Sequence, residues 1–82
     1  MIDKEEFRKQ LGEWLSIQRQ KAGLSLEEAA KKARIANVRL EEIEKGKISP
    51  LLKEIAKLTR AYNLSQVSVV TFLAKLQVGR LK

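Results

Sequence analysis

Residues 25–33 read SLEEAAKKA, and this stretch limits the possible folds more than any other. Ser25 can cap a helix, and Glu28 lies three residues later, where a reciprocal cap needs it. Leu26, Ala29, Ala30 and Ala33 then fall on one stripe at helical spacing. A stripe of alanines lets a neighbouring helix cross closely, because only small side chains leave room for it. Ile35 follows as an apolar plug in a short turn. A second short helix runs from Asn37 to Lys45 with Leu40 and Ile43 inward, and Gly46 ends it.

The rest of the chain reads the same way. Asp3 and Glu6 make a D-x-x-E helix start, and Phe7, Leu11, Trp14, Leu15 and Gln18 recur on one face up to Gly23. Ser49-Pro50 suggests a fourth helix, with Ser as cap and Pro at its first position. Leu51 or Leu52, Ile55, Leu58 and Tyr62 face inward on it, and Asn63 stops it. Ser65 caps a last segment whose run Val67, Val69, Val70, Thr71 would suit a strand. The spacing Val69, Phe72, Leu73, Leu76 suits a helix better. The reading is one all-α domain over residues 1–82, with helices about 4–22, 26–33, 37–45, 50–62 and 66–77. The last segment is apolar around much of its circumference, so Val69, Val70, Phe72, Leu73, Leu76 and Trp14 form a candidate dimer or partner surface.

Composition removes several classes of function. With no cysteine and no histidine, the chain lacks the commonest general base and the commonest soft metal ligands. An enzyme is not expected, and neither a metal nor a cofactor is implied. No charge-free stretch approaches the roughly 18–20 residues that cross a bilayer. A soluble, cytoplasmic, nucleoid-associated protein is expected. The formal charge is +7, unevenly spread. Residues 1–44 hold nine Lys/Arg against nine Asp/Glu, whereas residues 45–82 hold eight Lys/Arg against Glu54 alone. Such a basic half suits an anionic partner.

Leu11-Gly12-Glu13, Gly23-Leu24-Ser25, Glu28-Ala29-Ala30, Ile35, Leu40-x-x-Ile43-Glu44, Gly46 and Ser49-Pro50 together resemble the Cro/phage-repressor (Xre) helix-turn-helix family, over roughly residues 8–73. The resemblance implies a compact five-helix, lambda-repressor-like fold. It also implies a structural ion pair between Arg19 and Glu44, each placed shortly before a helix-ending glycine.

In that family the second helix turns its N-terminal N–H groups toward a phosphate, here at Ser25 and Leu26, and the third helix enters the major groove. By position, Asn37, Val38, Arg39 and Glu42 would face base edges, and Lys45 and Lys47 would lie beside the phosphates. Attraction would thus sit behind an acidic reading helix, and Glu42 would discriminate among bases. The chain departs from the family in three ways. Leu26 replaces a usual glutamine, Ala36 is a poor cap that leaves the role to Asn37, and Trp14 with Ile17 occupies a face usually polar. Packing against the N-terminal turn is the simplest reading of Trp14, and a partner-binding patch is its competitor.

The expected function is a sequence-specific double-stranded DNA-binding transcriptional regulator, a repressor, acting as a homodimer on a pseudo-palindromic operator. The stretch LSLEEAAKKARIANVRLEEIEKG is also similar to the helix-turn-helix of the bacterial shape protein RodZ. That similarity implies a protein-binding adapter. An antitoxin-like subunit with a protein partner is a third option.

Overall fold

The computed structural model describes residues 3–77, which form five helices. These are α1 (Lys4–Lys21), α2 (Leu26–Ala33), α3 (Asn37–Glu44), α4 (Leu52–Ala61) and α5 (Gln66–Gln77). Among the described residues there is no strand, so the β-branched run lies in a helix.

Most ends have a local cause. The Asp3 carboxylate accepts the Glu6 N–H at 2.7 Å, which starts α1. Gly23 ends it at a φ of 75°, a conformation in which a Cβ would be crowded. α2 ends differently, on Arg34 at a φ of 57°. A left-handed arginine costs on the order of 1–2 kcal/mol. The compensation is local: the Ile35 N–H reaches the Ala30 carbonyl at 2.9 Å, and the Ile35 side chain is buried.

The start of α4 corrects the reading of Ser49-Pro50 as a helix opening. Leu51 is the N-cap and Leu52 the first helical residue. No hydroxyl caps this end; the Glu54 carboxylate takes the Leu51 N–H at 2.8 Å instead. The inward face shifts with it. Leu51 and Leu52 are 51% and 86% exposed, while Glu54, Leu58, Ala61 and Tyr62 are buried.

The centre of the core is Leu15, Leu40, Ile43 and Leu58, from α1, α3 and α4. Truncating such a side chain to alanine costs about 2–5 kcal/mol. α1 crosses α3, and α2 packs on both α3 and α4 through its alanines, all three of which are buried. α5 closes the far side of α1 through one aromatic stack. Trp14 and Phe72 lie with ring centroids 4.5 Å apart and planes 14° from parallel. Trp14 therefore packs on Phe72 of α5.

Candidate nucleic-acid interface

With Leu40 and Ile43 at zero exposure, the opposite side of α3 must face outward. Asn37 and Glu41 are exposed, Val38 is 67% exposed, and Arg39 and Glu42 are half-buried. Ala36 is the N-cap, and its methyl offers no acceptor. Asn37 does not take over that role: among the described residues its side chain makes no hydrogen bond, so the amide is available to a ligand.

Arg39 is held from behind. Its Nε and Nη2 donate to the two carboxylate oxygens of Glu54, the second at 2.8 Å. Glu54 Oε1 also accepts the Leu51 N–H. The bond from Arg39 holds the Glu54 carboxyl below its ordinary value, against the opposing effect of burial. In return the Glu54 bond raises the Arg39 guanidinium. Sequence reasoning assigned Arg39 to base edges and gave Glu54 no role. One signal was present: Glu54 is the lone carboxylate in residues 45–82.

The three acids of α3 have separate fates. Glu44 accepts from Arg19 Nε at 2.8 Å and Nη2 at 3.1 Å, and Arg19 Nη1 also donates to the Leu24 carbonyl at 2.9 Å. Both side chains are mostly buried, so this pair ties the end of α1 to the end of α3. Glu41 lies 3.3 Å from Lys45 on the exposed helix surface, a pair worth little in water. Glu42 stays half-buried, near enough to Arg39 to favour its charge. Lys45 and Lys47 are exposed on the turn after α3, where Gly46 takes a φ of 76°. The Gly46 carbonyl accepts from Arg8 Nε at 3.4 Å, which anchors the turn to α1.

The start of α2 offers less to a phosphate than the resemblance implies. Ser25 Oγ accepts the Glu28 N–H at 3.1 Å, and the Ser25 N–H donates to Glu28 Oε1 at 2.8 Å. Those bonds depress the Glu28 carboxyl, the backbone bond most. Ser25 is therefore occupied by its own capping box. The open donors are the N–H groups of Leu26 and Glu27, and the carboxylates of Glu27 and Glu28 stand beside them.

The candidate partner surface divides. Trp14 and Phe72 are stacked on each other, and Val69 and Leu73 are half-buried. Val70 is 63% exposed and adjoins Val67 at 73%. The Leu76 side chain lies outside the described residues.

The helix-turn-helix domain family matches residues 10–71, well over half of the chain. The chain belongs to that family. Two crystal structures of the clp gene regulator ClgR from Corynebacterium glutamicum are similar to this helix-turn-helix domain. One is 28% identical, with 83% of this chain and 87% of that chain covered, at a TM-score of 0.73. The other is 26% identical, with 90% and 79% covered, at a TM-score of 0.75. No curated protein matches the chain. Among the described residues of the helix-turn-helix domain, no helix is long and apolar enough to cross a membrane.

Proposed function

We propose that this helix-turn-helix domain is a DNA-binding transcriptional regulator of the Xre/Cro type, a repressor that reads double-stranded DNA with α3. The observation that carries the reading is the division of α3. Its inner side is locked by Leu40, Ile43 and the Glu44 pair, while Asn37, Val38, Arg39 and Glu42 present different chemistries on the other side. Asn can bond adenine twice, Val can meet a thymine methyl, and Glu can accept from a cytosine amino group. Lys45 and Lys47 supply charge for phosphates just beyond. The similarity to the regulator ClgR supports the same reading.

The regulator acts as a homodimer in the cytoplasm, at the nucleoid, with Val67 and Val70 of α5 available for self-association. A protein-binding adapter, RodZ-like or antitoxin-like, is the second reading. Its support is the start of α2, where Leu26 stands and the Glu28 carboxylate already accepts the Ser25 N–H.

Selection of bound duplexes from a random pool tests the two against each other. A regulator enriches a pseudo-palindrome with half-sites about 10–10.5 base pairs apart. Retention that is salt-sensitive and blind to sequence would overturn the regulator in favour of the adapter. Sedimentation showing only monomer at micromolar concentrations would remove the dimer.

A further inference from the structure

The Arg39–Glu54 pair is an unusual use of a basic side chain in the first turn of α3. The positive end of a helix dipole repels an arginine, and no acid of α3 lies in that turn to offset it. The compensating charge comes from another helix. Glu54 is 6% exposed, whereas the Arg39 side chain is 39% exposed. The carboxylate is thus the buried member of the pair and the guanidinium the exposed one.

A guanidinium carries five N–H donors in a planar fork. Glu54 takes the Nε hydrogen and one Nη2 hydrogen. The two Nη1 hydrogens and the second Nη2 hydrogen remain. One Nη1 hydrogen and the second Nη2 hydrogen lie along the end of the fork, the edge that matches O6 and N7 of guanine in the major groove. An unsupported arginine is a long flexible chain that can take a phosphate as easily as a base. Held along its Nε edge, it is limited to one plane and one exposed edge. Moving it onto a phosphate would leave the buried Glu54 carboxylate with the Leu51 N–H alone, an expensive loss.

We propose that Glu54 is a positioning residue for specificity: from α4 it aims Arg39 end-on at a guanine, so the half-site contains a guanine at the Arg39 position. The proposal rests on the regulator reading above and adds to it the identity of one base and the residue that enforces it.

The test uses the full chain, its selected site, and the same site with 7-deazaguanine at each guanine in turn, which removes N7 alone. For the wild type, one such replacement should weaken binding several-fold, short of the roughly 150-fold limit set by about 3 kcal/mol for a whole bidentate pair, because O6 remains. Arg39→Ala should be indifferent to that replacement. Glu54→Gln should lose most of the preference for that guanine without losing affinity for random DNA, because a freed Arg39 can take a phosphate and steepen the salt dependence instead. Arg39→Lys retains charge beside Glu54 but lacks the fork, so it should lose the guanine preference while folding normally. Glu54→Asp, which keeps the charge but shortens its reach to Arg39, carries the test should Glu54→Gln not fold, and should lose the same preference. A guanine preference that survives in either variant overturns the proposal and leaves the regulator reading intact. A wild type with no sequence preference overturns both.

Discussion

A Cβ placed on Gly12 would lie 2.3 Å from the Ile43 carbonyl oxygen and 2.7 Å from that of Glu44. The backbones of α1 and α3 therefore meet where α3 ends, with no room for a methyl group. Alanine normally favours a helix interior over glycine by roughly 0.5–1 kcal/mol. Here backbone must move, and overpacking of this kind costs typically about 1–3 kcal/mol. Gly12→Ala should lower stability in urea unfolding despite its better helix propensity. An unchanged or higher midpoint would show that the crossing is looser than this.

Tyr62 gives an alkaline signature. Its hydroxyl is buried without a hydrogen-bond partner among the described residues. Burial, aided by Glu44 and opposed by Arg19, pushes the phenol up to about 12 from 10.0. A folded pKa above the unfolded one means stability is intact below pH 10 and falls as pH rises toward about 12. Tyr62→Phe should remove this tyrosine's share of the alkaline loss. At neutral pH it should be neutral to about 1 kcal/mol more stable, since it removes an unsatisfied group. Denaturation across alkaline pH, with phenolate absorbance as a second readout, checks both.

Glu54 acts at the acid end. Its folded pKa is depressed below 4.5, mainly by Arg39, so its contribution is present above 4.5 and is lost as pH falls through the folded value. Glu54→Gln should be less stable than the wild type at neutral pH and should converge with it in acid. Urea midpoints that stay a constant distance apart at every pH would show that the carboxylate charge contributes nothing.

Lys45 and Lys47 should behave as phosphate contacts. Replacing both with alanine should weaken binding to specific and random DNA alike. It should also flatten the log–log salt dependence by about 0.9 for each phosphate no longer neutralised. Asn37→Ala and Glu42→Ala should change which sequences are preferred and leave that slope alone. Titrations at several salt concentrations separate the outcomes. Equal loss for all four substitutions would erase the distinction between gripping and reading.

Local signals were readable because their partners are near in the chain. Asp3 with Glu6, Ser25 with Glu28, and the helix-ending Gly23 and Gly46 each act within a few residues, so spacing suffices. The inward positions Leu40 and Ile43 follow from helical period alone. Arg19 and Glu44 are 25 residues apart, yet each stands just before a helix-ending glycine, and the resemblance names the pair. Arg39 and Glu54 carry no such marker. Ser49-Pro50 resembles a helix opening more than Leu51 does, and the packing of α4 turns Glu54 inward with Leu58 and Ala61.

What the chain order alone determined is the number of helices, most of their ends and which stripes are apolar, since propensity, caps and periodicity act over a turn or two. What only the folded molecule decided is how those stripes meet: Gly12 against the α3 backbone, Trp14 on Phe72, and Glu54 behind Arg39. Each depends on the crossing of two helices, and a crossing is set by shape and charge from both partners at once. Neither partner's local sequence contains that information.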